Sequence, residues 1–333
     1  MSRVASSLLT LVTLGVLACS MSPGAATTTA TAVTTTPPLQ TTTTTAPVLP
    51  PEQIEIELSG QGPLGLDLVD GQALVAAHDS NQLIVLDLAT ATETATIPVG
   101  DYVQNVAAMP DGRVALGRYE SSTTGGLGLL DLGTMEITNV RVEAVQGVSV
   151  DEEGNVWVVE KAGAVVLVDP ATAEVVSRLP IDIVQNEHLD IVAFAGSGWA
   201  SSDSTPIRRV GGDPLAVEAT IETGGGIPLD SDGGLLWGAR ADEVWAIDPA
   251  TNEVARRISL ENVAEILALD VSGDEAWIAI RHPGRVGAVI RLDLANGEVL
   301  GDFPMGLPAA VRIGPDRVWV TDYEADRLVG FAR

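Results

Sequence analysis

"NVWVVEKAGAVVLVDPATAEVVSRLPI" (155–181) runs as an apolar strand through Trp157, a polar link at Glu160-Lys161, a second apolar strand, a turn at Asp169-Pro170 and a further strand. "RVWVTDYEADRLVGFAR" (317–333) begins the same way and stops one strand earlier. Tryptophan marks the register of the repeat. Trp157, Trp199, Trp237, Trp277 and Trp319 are spaced by 42, 38, 40 and 42 residues, each in a short apolar run after a turn-forming cluster. Backward extension puts Ala115 of "DGRVALG" (111–117) and Leu74 of "DGQALVAA" (70–77) in the same place, giving seven units.

A second register supports the first. Asp87, Asp131, Asp169, Asp248 and Asp293 each follow an alternating strand and precede another. A short carboxylate there can bond backbone amides across the turn, so these aspartates read as structural. The fourth unit, "IRRVGGDPLAVEATI" (207–221), has Gly-Gly-Asp-Pro in place of that turn. Four short strands per unit of about 40 residues, seven times over, predict an all-β, seven-bladed β-propeller over residues 53–333. The strand lacking from the last unit is expected from "QIEIELS" (53–59), which alternates apolar and acidic residues. Pairing it beside 327–333 would close the ring and remove an exposed sheet edge.

The chain of 333 residues is 46% hydrophobic with mean hydropathy +0.26, ample for one large core. Eighteen basic residues against 45 acidic ones give a net charge of -27. That field repels phosphate backbones and anionic membrane surfaces, which excludes nucleic acid as a partner. The start, "MSRVASSLLTLVTLGVLACS", has Arg3, an apolar run and then Cys19. The run suits an export signal better than a membrane span. "VLAC" (16–19) is similar to a bacterial lipobox, with Cys19 the acceptor of the lipid; ordinary cleavage beside an incidental cysteine is the alternative. Cys19 is the only cysteine, so no disulfide forms within the chain. Residues 20–51 hold twelve threonines, six prolines and no charge, a composition with nothing to bury. The organisation expected is a signal peptide at 1–18, a lipid-anchored Thr/Pro-rich linker at 19–52 and the propeller at 53–333. The protein would be a monomer held outside the membrane by its lipid alone.

"LVAAHDSNQLIVLDLATATETATIPVGDYVQNVAAMPDG" (74–112) resembles the YVTN family of β-propellers in its Asp-x-Ala-Thr hairpin, its "IPVG" and its closing "PDG". Looser similarity to NHL-type and streptogramin-lyase-like propellers extends over 60–333. The resemblance implies the fold and no single activity.

Links from second to third strand, and from blade to blade, open on one end of a propeller, where ligands bind. His78, Arg118, Glu160 and Lys161 fall on such links, as do Asp203, Arg240, Arg281, His282 and Asp322; His188 falls on an inter-blade link. All three histidines therefore map to one end. As general bases beside carboxylates, with a divalent metal if one binds, His78, His188 and His282 are the candidates for lyase or lactonase-like chemistry. Surface histidines without a chemical role are the simpler reading. Streptogramin-lyase-like propellers carry a Glu-x-His pair, whereas Glu187 and His188 are adjacent. Leu300-Gly301 stands where quinoprotein propellers place a docking tryptophan, and no nucleotide or zinc motif is present, so no cofactor is expected. Two functions remain: a lipid-anchored envelope module binding a ligand or an envelope protein, or an envelope enzyme using the histidine-bearing end.

The anchor is tested by fractionating cells that express the wild type or Cys19→Ala. The wild type is expected with the membranes and the variant in the soluble fraction; equal solubility contradicts lipidation.

Overall fold

The computed structural model describes residues 52–333 apart from 101, 121–124, 183–187 and 233. The expected signal (1–18) and linker (19–52), with Cys19, lie outside the described residues except for Glu52. Every element among the described residues is a β-strand, and the strands form seven four-stranded sheets in which all neighbours are antiparallel. Six sheets are consecutive in the chain: 63–98, 103–140, 145–180, 189–221, 229–259 and 265–305 (blades 1 to 6).

Blade 7 joins the two ends of the propeller. Its inner three strands are Pro308–Ile313, Arg317–Asp322 and Arg327–Ala332, and its outer strand is Gln53–Glu57. Ile54 lies opposite Gly330 and Ile56 opposite Leu328. Charge fixes that register. Arg327 reaches Glu55 at 2.6 Å and Arg317 reaches Glu52 at 3.2 Å. The amide of Leu58 donates to Asp326 O at 2.9 Å, and that of Gly62 to Asp326 Oδ1 at 2.8 Å, so the entry to blade 1 is tied to blade 7 as well.

The tryptophan register appears as a ring of blade interfaces. Trp157, Trp199, Trp237, Trp277 and Trp319 are 0–5% exposed in the second strands of blades 3 to 7. Each packs into an apolar cluster shared with the next blade: Trp157 with Ile191 and Ala200, Trp277 with Val311 and Val320, Trp319 with Leu66 and Val75 of blade 1. Leu74 and Ala115 do the same from blades 1 and 2, against Val114 and Val158 respectively. A buried ring needs room, and glycine supplies it: a Cβ on Gly198 would stand 2.4 Å from the Trp157 ring. Removing such an aromatic side chain from a core typically costs about 3–5 kcal/mol.

The turn aspartates behave as their recurrence implies. Asp87 accepts from the Thr90 amide at 2.8 Å, Asp169 from Ala171 at 2.8 Å and Asp248 from Ala250 at 2.8 Å. Asp131 and Asp293 make the same bond to Gly133 and Ala295. The residue entering the outer strand is left-handed in each (Ala91, Met135, Ala173, Asn252, Gly297), which closes a tight hairpin; in blades 1, 3, 5 and 6 the outer strand also carries one extra residue, whereas blade 2 pairs without a shift.

Closure can be tested by truncation. Deleting residues 20–50 should leave the melting temperature nearly unchanged, whereas deleting 20–59 removes the outer strand of blade 7 and should lower it sharply or cause aggregation through 327–332. Equal stability of the two contradicts a ring closed by its first strand.

Candidate functional site

The seven inner strands surround a central channel of about 960 Å³. In each blade one inner-strand residue lies opposite the tryptophan position of the second strand. It is Asp67 opposite Leu74, Asp230 opposite Trp237, Asp270 opposite Trp277 and Arg312 opposite Trp319. Blade 3 has Ser149 there, and in blade 4 the acidic residue is Asp190, two positions before Val192. These side chains reach sideways to the backbone of the next blade. Asp67 accepts from the Ala108 amide at 2.7 Å, Ser149 from Ala193 at 2.9 Å and Asp190 from Leu229 at 2.8 Å. Asp230 accepts from Val271 at 2.6 Å and Asp270 from Ile313 at 2.5 Å. Asn105 closes the step from blade 2 to blade 3 through Gln146 O, and Arg312 closes the ring by lying 3.6 Å from both Asp67 and Asp270.

Four carboxylates around one guanidinium, half-buried at the channel, shift one another's ionisation. Burial raises the pKa of Asp190. It raises Asp230 to about 6 and Asp270 to about 7, with Arg312 pulling both down while Asp190 repels Asp230, and Asp230 and Asp67 repel Asp270. Burial opposes the charge on Arg312, but Asp270, Asp67, Asp230 and Asp190 hold it protonated. None of these belt residues stands out as a site in the sequence, and the belt was not among the expected features. Its signal was present: Asp230, Asp270 and Arg312 each precede a tryptophan by seven residues.

The channel mouth is lined by His78, Tyr119, His188, Asp203, Arg240, Arg281 and Tyr323. His78, Tyr119, Asp203 and Tyr323 sit on links at the end of the propeller where the histidines were expected, Arg240 and Arg281 are the last residues of the strands entering such links, and His188 is on the link into blade 4. His78 donates from Nδ1 to Val103 O at 3.2 Å, so Nε2 is the acceptor when the ring is neutral; the ring lies 5.3 Å from that of Tyr102. His188 is 84% exposed, with Nδ1 3.2 Å from Asp203. Arg281 pairs with Glu265 at 2.6 Å. Tyr323 donates to Asp79 at 3.0 Å, and Lys161 lies 3.8 Å above the Tyr119 ring.

Four candidates are placed elsewhere. Arg118, Glu160 and Asp322 are buried (0–1% exposed) and engaged inside their own blades. Arg118 bonds Asn139 at 2.8 Å, Glu160 takes Arg178 at 2.8 Å and the Glu143 amide, and Asp322 takes Arg327 at 3.0 Å and the Leu307 amide. Each is the last residue of its second strand, where the side chain turns along the sheet and not into the mouth. His282 is at the same end but away from the channel. Its Nδ1 donates to Asn262 O at 2.7 Å and its Nε2 lies 3.1 Å from Asp302, and the Asn262 bond, then Asp302, raises its pKa. Both ring nitrogens are engaged, which favours the protonated form and leaves neither of them open to a substrate. Among the described residues no group of three or more His, Cys, Asp or Glu could hold a metal ion. Glu187 lies outside the described residues.

These shifts set a pH dependence of stability. Asp190, Asp230 and Asp270 have folded values above the ordinary 3.8, so the folded state binds more protons than the unfolded state. Their contribution is full below about pH 4 and is lost as pH rises through 6 and 7. His282, also raised, acts in the same direction above its ordinary 6.5. Asp87 and Asp131, lowered first by their turn amide bonds, act oppositely and lose their contribution only below 3.8. The melting temperature is therefore expected to peak near pH 5 and fall toward pH 8. Asp270→Asn should flatten the fall, adding on the order of 1–2 kcal/mol at pH 8 and little at pH 5. A flat wild-type profile contradicts the belt's ionisation.

No family model matches the chain, and no curated protein matches it. Solved structures do. Virginiamycin B lyase from Staphylococcus aureus superposes with a TM-score of 0.71 at 15% identity, over 85% of this chain and 99% of that one. A catalytically inactive form of that lyase with quinupristin gives 0.72 at 16%, over 85% and 99%. Kuenenia stuttgartiensis hydrazine synthase gives 0.66 at 14%, over 84% and 97%. At these identities the likeness is one of fold: the chain is a seven-bladed β-propeller.

Proposed function

We propose that the protein is a lipid-anchored module of the cell envelope that binds a ligand or an envelope protein at the channel mouth. One observation carries this reading. The chain has three histidines, three tyrosines and one lysine, and all seven lie on links at one end of the propeller. Surface links that concentrate a chain's rare aromatic and titratable side chains are where binding sites are built. The opposite end has none of them. The lipobox-like "VLAC" and the Thr/Pro-rich linker support presentation outside a membrane, at the end of a tether reaching on the order of 100 Å.

The second reading, an envelope lyase or lactonase-like hydrolase, is favoured by His78 alone. Val103 O holds its Nδ1, so in the neutral ring Nε2 is the nitrogen that would act as general base at the mouth. Divalent-metal dependence would belong to this reading.

The test screens small envelope constituents against the purified mature protein by thermal shift, since a ligand bound only by the folded state raises its stability. The shift from a mouth ligand should fall in the double variant Tyr119→Ala/Arg240→Ala, with roughly tenfold weaker binding, and persist in the turn variants Asp131→Asn and Asp293→Asn. Loss in folded turn variants with normal binding by the mouth variant contradicts the assignment. Conversion of a ligand to product, abolished by His78→Gln, would favour the enzyme.

A further inference from the structure

We infer that the mouth takes a saccharide bearing a carboxylate, an inference that rests on the binding role proposed above. Three features, each from different side chains, define the complement. The first is a flat aromatic flank. Tyr119 and Tyr323 line the mouth from blades 2 and 7 with His78 from blade 1, whose ring is backed by Tyr102 at 5.3 Å. Tyrosine faces pack against the C–H faces of a sugar ring; the Tyr323 hydroxyl is held by Asp79, and a sugar would meet the Tyr119 face opposite Lys161.

The second feature is a cation without a counter-charge. Of the arginines lining the channel, Arg281 is paired with Glu265, and Arg312 with Asp67 and Asp270. Arg240 is exposed on the flank opposite the tyrosines and has no carboxylate within ion-pair distance among the described residues. Its planar fork matches a carboxylate bidentately. The net charge of -27 does not prevent this, because at physiological ionic strength charges beyond about 8 Å are screened and the contact charge dominates.

The third feature is a set of acceptors that lack donors. Gln146 lines the channel and is 8% exposed, yet its Oε1 accepts no hydrogen bond; the neighbouring Gln104 and Asn105 amides instead donate to the Gln146 backbone carbonyl. His78 Nε2 is a second acceptor at the mouth. A buried acceptor left unmet costs free energy, and the terminal amide torsion is soft enough to turn toward a donor. Ligand hydroxyls supply donors. A simple aromatic acid would satisfy the first two features and leave this one unmet; a neutral sugar would leave Arg240 unmet.

The test is calorimetric titration of the mature protein at pH 7 and 0.15 M salt with trigalacturonate, fully methyl-esterified trigalacturonate and benzoate. Trigalacturonate should bind at least tenfold more tightly than either. Arg240→Ala should abolish the preference for acid over ester, and Arg240→Lys should restore it in part. Tyr119→Ala with Tyr323→Ala should weaken both sugars by about tenfold. Equal binding of acid and ester, equal binding of benzoate, or no binding of trigalacturonate at millimolar concentration overturns the inference. A mouth ligand of another class in the thermal-shift screen would overturn it too while leaving the binding role standing.

Discussion

Each blade must hold the next by its inner edge as well as by its face, and the channel belt does the former. The faces are sealed by the tryptophan-position residues. The inner edges are sealed by side chains that reach across to the neighbour's backbone: Asp67 to Ala108, Asp190 to Leu229, Asp230 to Val271, Asp270 to Ile313. In blades 5 and 6 the residue that reaches across, Asp230 or Asp270, is the one opposite the blade's tryptophan, so face and inner edge are sealed at the same level. Carboxylates gathered in this way repel one another in a poorly solvated channel, and Arg312 in the last blade offsets them. Closure of the ring is thus a charge event as much as a strand pairing.

That division leaves the two halves of the channel with different tasks. Within the belt nearly every polar group is occupied by another blade, so the belt holds shape. At the mouth a few side chains also bridge blades, as His78 does to Val103 O and Tyr323 to Asp79, but Arg240 has no carboxylate partner among the described residues and retains bonding capacity. An acidic protein that concentrates its few tyrosines and histidines at one end has a surface specialised there and solubilising elsewhere.

The fold was legible because its signals recur. The tryptophan spacing and the turn aspartates each repeat once per blade, and the early stop at Arg333 has its answer at Gln53–Glu57. The site was legible only by address. Arg118, Glu160, Asp322, Arg240 and Arg281 all end second strands, and sequence alone gives them one status. Their direction depends on partners in the same blade: Asn139, Arg178 and Arg327 draw the first three into the sheet, whereas Arg240 has none and faces the mouth. The belt was missed for the reverse reason. An aspartate in an apolar strand reads as an exposed edge residue until the strand is known to be innermost.

The account's central claim is that belt and interfaces make one cooperative ring, with the mouth links free to open. Native-state hydrogen exchange measures this directly. The amides of Ala108, Leu229, Val271 and Ile313, which donate to the belt, should exchange only by global unfolding and with one common free energy, while those of residues 241–242 and 324–325 exchange far faster by local opening. Exchange of Ile313 at a markedly lower free energy than Ala108 would show that blade 7 opens by itself, and would contradict the ring as described.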